Sequence, residues 1–355
     1  MNEQKFREWL KQQDQPLCVL IAVRIALRVF PIVTNLESDP DLALLAARGI
    51  LTSGVAAKMP TSEVRDAATA VAHADADAIG TFAYYAFAYA AAAAAADAAD
   101  AYADVAVAAD AAAYAAVAAD VDAAAYAAAA YADTVIAFEA LFSTPIWHEQ
   151  KRKPEWLVEA LVVHNSFLKS GPEWSFWRDW YQGFLDGKPL DWELQRRVAL
   201  IPDDDWEKGP EHVAKLIEEI RARFALEKRI EALEAEKLVW EEQARHGVGG
   251  NNPPEPLESE RIVQEIIWAP IEDLKAETQS ESPDKSRIQT AISKLGAALI
   301  AVGKWSFGKL DAAADAFVKS LGGGLGGYCV GWITQNSNKI AEVIRAAQAW
   351  LSALT

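Results

Sequence analysis

Apolar residues recur every three to four positions along most of this chain, the spacing of amphipathic helices. Residues 3–13 place Phe6, Trp9 and Leu10 on one face, and Pro16 breaks the run. Residues 18–30 form the next predicted helix, ended by Pro31, with Arg24 and Arg28 one turn apart on one face. Those two charges mark it as a core helix rather than a membrane span. Asp39-Pro40-Asp41 caps a third helix over 42–51, and Thr61 or Ser62 starts a fourth that runs toward Ile79.

The pattern then changes character. Between positions 83 and 132, 32 of 50 residues are alanine, and most of the others are Asp and Tyr. Alanine is the strongest helix former because it loses no side-chain entropy. One continuous rod over 81–142 would be about 90 Å long. At about 100° per residue, Asp97, Asp100, Asp104, Asp122 and Asp133 share a face, but Asp110 and Asp120 lie well off it. A loose 12-residue repeat carries Tyr102, Tyr114 and Tyr126, and it precesses around the axis. The tract is therefore expected to break into two or three helices, or to pack on more than one side.

After Pro145 aromatics take over. Trp174, Trp177 and Tyr181 stand at i, i+3 and i+7 with Trp180 beside them, an aromatic helix face expected in the core. Gly187-Lys188-Pro189 is a turn, and Asp191 caps a helix to about Leu200. Asp203, Asp204 and Asp205 read as a solvated turn and helix start, since calcium-loop spacing is missing. Residues 211–245 form a charged, coiled-coil-like helix. Its seam runs Val213, Ile217, Ile220, Phe224, slips in phase, and resumes at Leu226, Ile230, Leu233, Lys237 and Trp240. Residues 246–256, rich in Gly and Pro, read as a linker. Residues 258–275 and 283–309 form a predicted hairpin, and 339–354 the last helix, with Ile340, Val343, Ile344, Ala347, Trp350 and Leu351 on one face.

The most specific local signal is near the C-terminus. Residues 320–338 hold no charge, and Gly323, Gly327 and Gly331 are spaced four apart, the small-xxx-small pattern that lets helices touch along their backbones. Each glycine costs a helix roughly 1 kcal/mol against alanine, so the pattern asks for a reason. Three readings are open: oligomerisation or membrane contact with Tyr328 and Trp332 at the interface, close packing within a bundle, or a loop at Gly322-Gly323-Gly324.

Composition narrows function mainly by exclusion. A net charge of −17 over 355 residues argues against nucleic acid as a partner. Cys18 and Cys329 sit far apart in apolar settings and read as buried thiols, in keeping with a reducing cytoplasm. Residues 1–16 lack the apolar core of a secretory signal. His73, His148, His164, His212 and His246 are scattered, and no metal, cofactor or nucleophile motif is found.

The chain resembles a group of alanine-rich bacterial proteins of unknown function, chiefly alphaproteobacterial. The resemblance rests on Val23-Arg-Ile-Ala-Leu-Arg-Val-Phe-Pro31, the alanine tract, Trp180-Tyr181 before Gly187-Lys-Pro189, residues 202–206 before Gly209-Pro210, and Gly250-Asn-Asn-Pro-Pro-Glu255. It implies a bacterial origin and brings no activity or site residue with it.

The expected fold is all-α: a multi-helix bundle with close-packed Ala-rich helices, a coiled-coil-like arm and a C-terminal hairpin. The expected divisions are an Ala-rich bundle at 1–145, an aromatic region with the arm at 146–246, a linker at 247–256 and a C-terminal module at 257–355. The leading functional expectation is a non-enzymatic interaction or assembly protein of the cytoplasm, without a cofactor. It would associate with itself or a protein partner, and with membranes through the C-terminal module. The alternatives are a membrane-disrupting effector of a bacterial defence or toxin system, and an enzyme whose site is assembled from distant residues.

Overall fold

The computed structural model describes residues 8–36, 40–79, 132–147, 155–246, 263–306 and 326–354. Their regular structure is entirely helical, with no strand among the described residues, so the fold is all-α. The chain divides into two compact units, Met1–Ile217 and Glu218–Thr355. The alanine tract up to residue 131, with its repeat, and the linker at 247–256 lie outside the described residues.

The first unit is built on α1 (Gln15–Leu36), which packs against α2 (Pro40–Lys58) and α4 (Glu155–Phe167). Helix α3 (Ser62–Ile79) follows α2 and packs on it. Asp14 starts α1 by accepting the backbone N–H of Leu17 at 3.2 Å. Every residue from Cys18 to Arg28 is buried, as expected of a helix that is apolar almost all round. The Cys18 thiol donates to the Leu10 carbonyl at 3.4 Å, and burial, with Asp14 nearby, pushes it up to about 11.

The helix does not stop at Pro31, where the sequence pattern predicts its end; it continues to Leu36. Proline removes one backbone donor. The Thr34 hydroxyl donates back to the Pro31 carbonyl at 3.1 Å within the continuing turns.

Arg24 and Arg28 point inward and are 1% and 0% exposed. All five N–H groups of Arg24 are used: two on the Asp133 carboxylate at 3.0 Å each, and three on the carbonyls of Leu141, Thr144 and Pro145 at 2.9, 2.8 and 2.9 Å. Arg28 donates to Asp133 at 2.6 Å and to the Ile146 carbonyl at 2.8 Å. Two guanidinium groups thus share one buried carboxylate, and carbonyl dipoles from 141–146 offset the remaining positive charge.

That strap is held from the other side by α5 (Ser175–Leu185). The Ile146 N–H donates to the Phe184 carbonyl at 3.1 Å. Gly187, just past α5, has φ +66°, and a Cβ there would lie 2.6 Å from Pro145 Cδ and 2.7 Å from the Ser143 carbonyl oxygen. Only glycine fits this turn, for both backbone and steric reasons. Helix α5 also supplies the aromatic face read from the sequence: Trp174 beside it and Trp177, Trp180 and Tyr181 on it are all core residues. Trp180 donates to Gln195 at 2.9 Å on α6 (Trp192–Ala199), whose predicted cap, Asp191, accepts the Glu193 N–H.

His164 of α4 lies fully buried between Phe30 and Tyr181, with ring centroids at 5.1 and 4.6 Å. The one Thr34 hydroxyl proton goes to Pro31, so the Nδ1–H of His164 donates to Thr34 at 2.8 Å. Its Nε2 has no hydrogen-bond partner among the described residues, and burial pushes the imidazole down to about 3.

Helix α7 (Pro210–His246) begins in the first unit and continues in the second. Val213 and Ile217 are buried in the part belonging to the first unit. Leu226, Ile230 and Leu233 join the core of the second. The division between the units, after Ile217, falls within the seam before its phase slip at 224–226.

The second unit adds α8 (Ala269–Thr278), α9 (Lys285–Ser306) and α10 (Gly326–Ala353), with α8 and α10 each packed on α9. A π turn over Gln264–Trp268 leads into α8. It lies just before Pro270, which cannot donate to the carbonyl four residues back, and the wider turn accommodates this loss. Arg223 closes the C-terminal end of α8 by donating to the carbonyls of Thr278 and Ser280 at 2.6 and 2.8 Å. The core joins residues from before the linker, such as Leu226 and Ile230, to Ile267, Leu295, Val343 and Trp350 from after it.

Two predictions follow from the buried charges. Asp133→Asn removes the carboxylate that Arg24 and Arg28 share, and loss of one partner from a buried ion network costs about 3–5 kcal/mol. The urea midpoint of the first unit should fall by a corresponding amount; a loss below about 1 kcal/mol would mean the clasp is dispensable. His164 is held neutral in the folded chain, whereas the unfolded imidazole binds a proton below about pH 6.5. Stability from this residue is complete above pH 6.5 and declines as pH falls toward 3, by about 1.4 kcal/mol per unit once the unfolded form is protonated. The stability from Glu193, held down to about 2 chiefly by its hydrogen bond to Arg196, is complete above about pH 4.5 and is lost only as pH falls below it, outside the window from pH 6.5 to 5. His164→Leu should therefore flatten the stability profile specifically between pH 6.5 and 5, as measured by urea melts across that range.

Candidate functional site

Of the C-terminal glycines and aromatics singled out by the sequence, Gly323 lies outside the described residues. Gly327 and Tyr328 belong to the first turns of α10. Gly331 is helical and exposed, and a Cβ added there would meet nothing within 4 Å among the described residues. Trp332 faces the other way: it is 5% exposed, with its ring 5.7 Å from that of Trp268 in the core of the second unit. Ile333 and Asn336 are buried with it, and Asn336 donates to the Trp332 carbonyl at 3.0 Å.

The outward face of this part of α10 reads Gly331, Thr334, Gln335 and Asn338, all exposed and all uncharged. Their i, i+3, i+4, i+7 spacing forms one stripe, and Gly327 precedes it by four residues. Among the described residues no helix is long and apolar enough to cross a membrane.

The first unit holds a second feature that the sequence did not announce, a half-open groove of about 530 Å³. Helix α2 contributes Asp41, Leu44, Leu45 and Arg48 to its lining, and α3 contributes Ala70. The opposite side comes from Asp203 and Trp206, in the single helical turn Asp203–Trp206, and from Glu207. Arg48 lies at the base, 4% exposed, ion-paired to Asp203 and stacked over the Trp206 ring with its guanidinium carbon 4.9 Å from the centroid. The Trp206 N–H donates to the Ile201 carbonyl at 3.0 Å, which fixes the ring plane. Leu44 is buried, Leu45 and Ala70 half-buried, and Asp41, Asp203 and Glu207 exposed, so apolar walls rise to a carboxylate rim.

The acidic run at 203–205 is thus more than a solvated turn. Asp203 grips Arg48, while Asp205 accepts from Lys208 at 2.7 Å and pairs with His212 at 2.9 Å. The hydrogen bonds from Lys208 and then His212 hold the Asp205 carboxyl below its usual range. The two acids serve different partners and do not converge. No group of three or more His, Cys, Asp and Glu side chains among the described residues could hold a metal ion. The signal for the groove was faint: a lone arginine in the apolar run of α2 and a tryptophan directly after three acids.

Comparison of the chain with protein-family models, with curated proteins and with solved structures finds no match.

Proposed function

We propose that this chain is a non-enzymatic helical assembly protein that associates with itself through the uncharged outer face of α10. The observation that carries this reading is Gly331. It is helical, so a loop does not account for it. It has nothing within 4 Å of its missing side chain, so packing among the described residues does not account for it either. A glycine that costs a helix about 1 kcal/mol and gains nothing from the described residues suits a neighbour from outside the chain. Bare backbone flanked by Thr334, Gln335 and Asn338 suits a closely approaching helix with polar side chains to share.

Membrane contact is the weaker reading of the same segment. Among its described side chains the large apolar ones, Trp332 and Ile333, are committed to the core of the second unit, and Gly331, Thr334, Gln335 and Asn338 leave a polar outer stripe. The membrane-disrupting alternative would need those residues released.

Light scattering on the full chain provides the test. The purified protein should have a mass that is a multiple of 38.6 kDa. Gly331→Leu, clear of the other described residues, should keep full helix content yet shift the mass toward the monomer, with Gly331→Ala intermediate. A monomeric parent protein, or a Gly331→Leu variant of unchanged mass, would overturn the proposal. Co-sedimentation of the monomer with anionic vesicles would favour the membrane reading instead.

A further inference from the structure

Within the second unit, helix α7 has two unlike faces. Leu226, Ile230 and Leu233 turn into the core. At about 100° per residue the opposite face holds Lys228, Ala232, Ala235, Leu238, Val239 and Glu242, and every one of them is exposed. The middle of this face is apolar: Leu238 and Val239 are 63% and 50% exposed and stand beside the two alanines. We propose that a second copy of this chain docks here, the two α7 helices pairing antiparallel about a two-fold axis at Ala235. The contact is separate from the one through α10 and does not depend on it.

The order of residues along the face fixes both the partner and its direction. Lys228, Ala235 and Glu242 stand seven apart and so line one seam. Reversing a second copy about Ala235 sets Lys228 of each chain against Glu242 of the other. It also sets Ala232 beside Val239, a small residue against a larger one. A parallel pair would instead oppose lysine to lysine and glutamate to glutamate, so charge selects the antiparallel form. Alanine at the centre lets the axes come near the short end of the usual range of about 8–10 Å. Within its own chain Lys228 reaches Glu231 at 3.1 Å and lies 5.2 Å over the Phe224 ring. An exposed pair of that kind contributes little in water and does not tie the ammonium down. An anionic lipid surface fits less well, because the same face carries the carboxylates of Glu231 and Glu242.

The test is sedimentation of the full chain in a Gly331→Leu background, which removes association through α10. That variant should remain a dimer. Lys228→Glu should weaken the dimer about tenfold, because two attractive pairs become repulsive, and adding Glu242→Lys should restore it. The axis is checked by chemical linking in a Cys329→Ser background. Ala235→Cys should be joined copy to copy by a short bis-maleimide, whereas Lys228→Cys, about 21 Å from its own copy along the helix, should not. A monomeric Gly331→Leu chain, a double reversal no tighter than Lys228→Glu alone, or equal linking at 228 and 235 would overturn the proposal. Dimers for both the parent and Gly331→Leu would keep this contact and remove the one through α10. A dimeric parent with a monomeric Gly331→Leu variant would do the reverse. A monomer that binds anionic vesicles, and loses them on Leu238→Asp, would also overturn the proposal and make the face a membrane contact.

Discussion

Burying two guanidinium groups in the middle of an apolar helix is the constraint that the first unit satisfies before anything else. An uncompensated charge in such a place would cost far more than a single domain's net stability. Arg24 and Arg28 are therefore surrounded by acceptors: one carboxylate from Asp133 and the carbonyls of residues 141 and 144–146. Several features follow from this. The 141–146 strap has to cross α1 at one height. The turn after α5 has to let it pass, which is why residue 187 carries no side chain. The aromatic face of α5 then closes over α1 through Phe30, whose ring lies 6.3 Å from Trp180 and 5.9 Å from Tyr181.

Much of the helical architecture is legible in the sequence because helices advertise themselves locally. The i, i+3, i+7 aromatics of α5, the Asp191 cap and the seam of α7 are all patterns within a few turns of chain. The inward direction of Arg24 and Arg28 is not legible, because their acceptors are mostly backbone carbonyls. Every residue type carries one, so no side-chain pattern signals it. The continuation of α1 through Pro31 is hidden for a related reason: a single missing donor breaks a helix only if tertiary packing does not hold the following turns in place.

The two candidate sites differ in the same way. The glycine spacing near α10 is a local pattern and can be found by eye, but its direction cannot. The structure turns Gly331 outward and Trp332 inward, into the core of the second unit. The groove has no local pattern at all. Its lining is drawn from positions 41–48, 70 and 203–207, and the Arg48–Asp203 pair spans 155 residues. Its chemistry arises from juxtaposition, which periodicity cannot report.

The clasp around α1 also has a consequence in time. The acceptors for Arg24 and Arg28 lie 105 to 121 residues further along the chain. At about 5–20 residues per second, a ribosome extends that far only many seconds after α1 has been made. Throughout that interval α1 is an apolar helix carrying two cations that the finished protein hides, and it cannot take its final place. The alanine tract is synthesised within the same interval. The first unit therefore cannot close before the strap has been made, and a nascent chain halted before residue 133 would hold the central helix of the unit without the groups that allow it to be buried.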